Sequence, residues 1–157
     1  MLWYVIGTAA LALWFGGGVI AGFVAPQAAF GVLTDRVLAG TIAGTVLGRY
    51  ATISLISGLV YIAAWFFSRL TARPWRKRTL LVVVVGLLLI AFSEWYVTPR
   101  IIALRSQFGS SGAPPDLRAP FDSLHRLSVI LFSVQWVLSG VAIALHGGTK
   151  KGSEHFV

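Results

Sequence analysis

Apolar residues run along the chain in four long stretches separated by short polar segments. The stretches extend from about residue 2 to 30, 37 to 67, 79 to 97 and 121 to 145. A helix needs about 20 apolar residues to cross the hydrocarbon core of a bilayer, and each stretch comes close to or exceeds that length. The pattern predicts an all-α fold in which residues 1–157 form a single four-span transmembrane bundle.

Composition supports a membrane protein over a soluble one. The 157 residues are 57% hydrophobic and 11% charged, whereas a soluble domain is about 45–50% apolar and about 25% charged. The first stretch lacks a basic leader and is too long for the core of a signal peptide, so we expect it to remain as a span. The chain has no cysteine, which excludes disulfides, thiolate metal sites and cysteine nucleophiles.

Basic residues predict the orientation of the bundle. They are dense in the loop from Ser68 to Arg78 and recur at Lys150 and Lys151. The positive-inside rule then places both termini in the cytoplasm, and we expect a bacterial inner (cell) membrane. The formal net charge of +8 indicates contact with membrane lipids. A nucleic-acid partner is not expected, because the basic cluster is only a short loop between spans.

Glycines recur at every fourth position in the first two spans. The second span carries Gly40, Gly44 and Gly48, and the first carries Gly18 and Gly22. Small residues at this spacing let helix backbones approach closely in lipid. We therefore expect these glycine faces to pack against each other within the chain. A homodimer seam is the alternative, and the general frequency of glycine in membrane helices is the plainest explanation.

Ionisable residues fall at a similar depth in three spans. Counting from the predicted ends of the spans brings Arg49, Glu94, Asp122 and His125 to one polar layer. Such groups usually face the bundle interior and pair with one another. An Arg49–Glu94 ion pair that joins two spans is the structural interpretation. The alternatives are a proton, ion or substrate site, or side chains that reach the membrane interface without a partner.

Catalytic and metal-binding patterns are missing from the sequence. It has no phosphate-binding loop, no nucleophile elbow and no zinc-protease motif. The three histidines lie at opposite ends of the predicted bundle, so they cannot share one metal ion within a monomer. We expect no enzyme activity, no catalytic residues, no metal site and no cofactor. His125 alone could still serve as an axial ligand to a haem or another tetrapyrrole.

Three stretches together resemble a known family. They are "LALWFGGGVIAGFVAPQAAF" at Leu11–Phe30, "WYVTPRIIALRSQ" at Trp95–Gln107 and "FDSLHRLSVILFSVQWVLSG" at Phe121–Gly140. The chain resembles the domain-of-unknown-function 4149 family, four-span membrane proteins similar to transmembrane protein 205. The resemblance implies a four-span bundle without an agreed activity. The residues that carry the motif are Pro99, Arg100, Phe121, His125 and Ser128.

These observations favour a structural or accessory subunit of a larger membrane assembly, or a bundle that self-associates into a homo-oligomer. The alternative is a small transporter or a tetrapyrrole-binding redox module that uses Arg49, Glu94 and His125. The chain also has a more distant likeness to small four-span haem-associated proteins. Those proteins place a histidine in the first span, and its absence here weakens the case for haem binding.

Overall fold

Four long helices make up almost all of the part of the chain that the structure describes. A computed structural model describes residues 1–69, 77–108 and 114–148. The helices are α1 (Leu2–Val32), α2 (Arg36–Arg69), α3 (Lys77–Arg105) and α4 (Pro115–Gly147). All four are long and apolar enough to cross a membrane. The predicted all-α class with four spans is therefore confirmed.

The helices run up and down as a four-helix bundle. α1 packs along α2 and α4, and α3 packs along the same two helices from the other side. At one end, which we call the terminal end, the ring of Tyr4 stacks on His146. At the opposite end, which we call the far end, Arg105 donates a hydrogen bond to the carbonyl of Gly40. Helices joined by short connections commonly pack in this antiparallel way.

Two of the helices widen by one residue just before a proline. In α1 the π-helical turn Ile20–Val24 precedes Pro26, and in α3 the π-helical turn Ser93–Val97 precedes Pro99. A proline lacks the backbone N–H and its ring crowds the carbonyl four residues earlier. The wider turn relieves this conflict, because the residue before each proline donates to the carbonyl five residues back. Both helices continue past their prolines.

This wide turn explains why α3 is longer than the sequence pattern suggests. The third apolar stretch ends near residue 97, yet the helix continues to Arg105. The fourth helix likewise begins at Pro115 rather than near residue 121, because Pro115 suits the first turn of a helix. As a result the far end of the bundle carries a longer polar extension than predicted.

The outside of the bundle is apolar. Large side chains are exposed on every helix, among them Leu59 on α2 and Leu81 and Leu88 on α3, each at least 60% exposed. Such a surface suits lipid rather than water, and we describe the chain as an integral membrane protein. The residues that predicted its orientation include Arg73, Lys150 and Lys151, which lie outside the described residues.

Candidate functional site

Trp14 lies at the centre of the bundle and contacts all three other helices. Its side chain is 1% exposed. The indole N–H donates to Oε1 of Gln135 on α4 at 2.9 Å. Its backbone carbonyl accepts from the hydroxyl of Tyr50 on α2 at 3.0 Å. On α3, a Cβ added at Gly86 would lie 2.8 Å from the indole ring.

The helical repeat explains this central position. The buried residues of α1 recur every three or four positions along one face: Gly7, Ala10, Leu11, Trp14 and Gly18. Trp14 is the only large ring among them, so it fills the space between α1 and α3. Gly86 opens that space, because any side chain there would collide with the indole. A buried indole N–H needs an acceptor, and Gln135 provides it.

A second group of polar residues lies at the terminal end around His146. Its Nε2 is 3.1 Å from Oγ1 of Thr8, and its Nδ1 is 3.5 Å from the hydroxyl of Tyr61. The Thr8 hydroxyl donates to the carbonyl of Tyr4 at 2.9 Å. It therefore has to accept from His146, so we assign the imidazole proton to Nε2 and the acceptor role to Nδ1. Each ring nitrogen therefore lies beside a hydroxyl of another helix.

A stripe on α2 connects the two groups. Tyr50, Ser54, Ser57 and Tyr61 all face the interior and are at most 4% exposed. Their spacing of four, three and four residues puts them on one helix face. Among the described residues, Oγ of Ser57 has no hydrogen-bond partner. The hydroxyls of Ser54 and of the buried Thr79 on α3 lie near those of Tyr50 and Tyr61 but lack a partner of good geometry. Together with Trp14, Gln135 and His146, this polar interior is the candidate functional site.

The stripe could have been found from the sequence. Tyr50, Ser54, Ser57 and Tyr61 follow the i, i+4, i+7, i+11 pattern of one helix face. Sequence reasoning concentrated on charged residues and overlooked these neutral ones. Trp14, Gln135 and His146 gave no comparable signal, because their meeting depends on how three separate helices pack.

The predicted ion pair between Arg49 and Glu94 is wrong. Arg49 is exposed on α2, and neither residue forms an ion pair in the described chain. The half-buried carboxylate of Glu94 instead accepts from Oγ1 of Thr98 at 3.3 Å. The depth of a residue along its helix can be counted from the sequence, but its direction around the helix decides which partner it meets. Arg49 follows Gly48 on a face that points away from the interior.

The other two members of the predicted polar layer are also on the surface. Asp122 and His125 are exposed on α4. The His125 ring stacks on Phe121 at a centroid distance of 5.9 Å, and its carbonyl accepts from the hydroxyl of Ser128 at 2.7 Å. No contact in the described chain brings these residues to Arg49. Nor do the described residues contain a group of three or more side chains able to hold a metal ion.

The glycines do not pack against each other as expected. α1 and α2 do pack together, but the glycines receive side chains from other helices. A Cβ at Gly18 would lie 2.6 Å from the ring of Trp136 on α4, and one at Gly22 would lie 2.3 Å from the ring of Phe132. Gly40 and Gly44 leave a notch on α2, and the guanidinium of Arg105 on α3 lies in it.

The remaining glycine of the series has no such role. A Cβ at Gly48 would meet nothing within 4 Å. At the other glycines, the space left by the missing side chain is filled by an aromatic ring or a guanidinium. These large groups make more contacts there than the glycine backbone of a facing helix would. This explains why the spacing of the glycines did not reveal their partners.

The motif residues at the far end form two separate contacts. Arg100 follows Pro99 and lies over the ring of Tyr96 at 3.6 Å from its centroid, while its Nη1 donates to the Tyr96 carbonyl. Phe121 packs edge-on against Phe108. The first contact lies within α3, and the second joins the segment after α3 to α4, so the two do not converge on a common ligand position.

Comparison with known proteins identifies the family. The profile described as "Domain of unknown function (DUF4149)" matches residues 9–109. The chain belongs to this family. No curated protein and no solved structure matches the chain. The matched segment covers most of α1 and all of α2 and α3, so it contains Trp14, Tyr50 and Arg105 but neither Gln135 nor His146.

Proposed function

We propose that the protein is a non-enzymatic structural or accessory component of a membrane assembly. The proposal includes an inner-membrane location with both termini in the cytoplasm, and no resident cofactor. The observation that supports it best is the position of Trp14. Its buried ring contacts α3 and α4, its backbone carbonyl accepts a hydrogen bond from α2, and the ring fills interior space that a transporter or cofactor protein needs.

The interior contacts support a rigid unit. Hydrogen bonds between membrane helices are worth about 0.6 kcal/mol on average and up to about 1.7 kcal/mol. The Trp14, Tyr50 and Trp136 donors and the His146 ring all bond across helices. A bundle fixed in this way presents a constant apolar surface, which suits a protein that acts by contact with membrane partners.

The test is to place a photoreactive residue on that surface. Leu81 and Leu88 are exposed on the outer face of α3, whereas Val83 on the same helix is buried in the interior. In native membranes, a photocrosslinker at Leu81 or Leu88 is expected to capture a discrete protein partner, and one at Val83 only this chain. Blue native electrophoresis of the gently solubilised protein should then show a complex larger than the monomer. Migration as a monomer with lipid adducts alone at both outward positions would contradict the proposal.

A small transporter is the second candidate, and one observation favours it. Ser54, Ser57 and Thr79 are at most 3% exposed, and in the described chain none of their hydroxyls has a hydrogen-bond partner of good geometry. Buried hydroxyls in this state are suited to holding water. These hydroxyls lie between the Trp14 group and His146. Water molecules bound to them would therefore form part of a polar path along the interior.

Flux into liposomes separates the two candidates. Purified protein is reconstituted with a pH-sensitive dye inside the vesicles, and a proton gradient is applied. Transport would appear as dye quenching that Ser57→Leu abolishes, since leucine would block the stripe. Quenching no faster than in empty vesicles supports the accessory role.

A further inference from the structure

Arg105 is a half-buried cation with an incomplete set of partners. The guanidinium lies in the notch that Gly40 and Gly44 leave on α2. Its Nη1 donates to the carbonyl of Gly40 at 2.8 Å. A Cβ at Gly44 would lie 3.2 Å from Nη1, and one at Gly40 would lie 3.5 Å from Nη2. The glycines are therefore what allows the guanidinium to sit against the helix.

Most of the hydrogen-bonding capacity of this group is unused. A guanidinium has five N–H donors, and in the described chain Arg105 makes one hydrogen bond and no ion pair. The ring of Phe121 lies on one side, 5.5 Å from Cζ to the centroid. A partly desolvated charge of this kind is costly without a counter-charge. An anion from outside the chain would supply it.

A second guanidinium lies close to the same notch. A Cβ at Gly40 would be 3.8 Å from the ring of Phe30 as well as near Arg105. Above that ring lies Arg36, with its Cζ 5.9 Å from the centroid. The nearby carboxylate of Asp35 is committed to the start of α2, where Oδ1 accepts from the backbone N–H groups of Val37 and Leu38 at 2.8 and 3.1 Å.

We propose that Arg105 binds a phosphate oxyanion at the far end of the bundle, seated beside the Gly40–Gly44 notch. Two parallel N–H groups of a guanidinium match two oxygens of a phosphate. Arg105 ends the apolar helix α3 and lies next to the first turns of α2 and α4. In a membrane this is the depth of lipid headgroups, so the phosphodiester of a phospholipid is the nearest source. The inference does not depend on the proposed function.

Lipid titration followed by native mass spectrometry tests this site. The purified full chain in mild detergent is titrated with dioleoylphosphatidylglycerol, and with dioleoylglycerol as a lipid of the same chains without phosphate. Wild type should bind dioleoylphosphatidylglycerol more tightly than dioleoylglycerol. Arg105→Gln should weaken that binding about tenfold. Arg105→Lys should fall between them, because it keeps the charge but loses the paired donors.

Two matched controls exclude general effects. Arg100→Gln removes the same charge five residues earlier on α3, from a residue that already lies on Tyr96, and should bind within about twofold of wild type. Gly44→Leu fills the notch without removing a charge and should weaken binding, whereas Gly48→Leu should not, since nothing lies near that position. The Gly44 variant also keeps the test valid should Arg105→Gln fold poorly.

The outcomes separate the possible sources of phosphate. Displacement of the phospholipid by inorganic phosphate supports the site with a soluble oxyanion as its occupant, and retention of the lipid supports a headgroup. Equal binding by wild type and Arg105→Gln would overturn the proposal. So would an equal loss in Arg100→Gln, or a failure of wild type to bind either the phospholipid or inorganic phosphate.

Discussion

The hydrogen bond between Trp14 and Gln135 can be measured by a double-mutant cycle. Gln135→Leu removes the acceptor at nearly constant volume and leaves the indole N–H buried without a partner. Trp14→Phe removes the donor and leaves Oε1 of Gln135 unpaired. The double variant removes both polar groups together. The cycle therefore isolates the bond from the packing changes that accompany each single substitution.

The structure sets the expected size of each effect. The bond is 2.9 Å long, and Trp14 and Gln135 are only 1% and 5% exposed. An unpaired buried donor costs about 1–3 kcal/mol in water-soluble proteins, and bonds between membrane helices reach about 1.7 kcal/mol. We expect Gln135→Leu to lower the free energy of unfolding by about 1–2 kcal/mol. Trp14→Phe should cost more, because it also removes ring atoms that pack at Gly86.

The assay is reversible unfolding in mixed micelles titrated with sodium dodecyl sulfate. Far-UV circular dichroism should follow the transition, since tryptophan fluorescence changes with the substitution itself. The double variant should be more stable than the sum of the single effects implies, with a coupling energy of about 1 kcal/mol. Single effects that add to within about 0.3 kcal/mol would refute the reasoning.

The remaining predictions use the same unfolding measurement. Gly86→Ala should cost about 1–3 kcal/mol, because the added methyl collides with a buried indole that has no room to move. Gly48→Ala is its matched control and should be neutral or stabilising, because alanine favours the helix and nothing lies near that position. An equal loss in both variants would contradict the explanation by crowding at Gly86. Arg49→Leu should leave stability unchanged or raise it, because this exposed residue forms no ion pair with any described residue. Glu94→Gln should stay within about 0.5 kcal/mol of wild type, and a larger loss would indicate a charged partner for this carboxylate.

The sequence predicts the four spans because hydropathy and helix length are local properties. The apolar stretches fix where each helix lies, and the family resemblance pointed to the same four-span architecture. The ends of the helices are harder to predict, because the third apolar stretch ends near residue 97, just before Pro99. The π-helical turn at Ser93–Val97 instead absorbs the proline and lets α3 continue.

The candidate site was harder to predict because it depends on angles around the helix axes. Arg49 and Glu94 were placed at similar depths, yet Arg49 points outward. Side chains approach Gly18, Gly22, Gly40 and Gly44 but not Gly48, and the spacing of the glycines did not show which side chains these would be. Gly40 and Gly44 receive a guanidinium, and Gly86 receives an indole. Only the packed bundle brings Trp14 and Gln135, 121 residues apart, into contact.

Thiol labelling of the interior tests most directly whether the bundle is a closed structural unit. The chain has no cysteine, so a single substitution gives an unambiguous signal. Ser57→Cys places a thiol on the buried stripe, where the native residue is 3% exposed, and Ser123→Cys places one on the exposed start of α4. In intact membranes, a charged methanethiosulfonate reagent should label the cysteine at 123 and leave the one at 57 unmodified. Labelling of both at similar rates would contradict a packed interior and favour a water-filled path through the bundle.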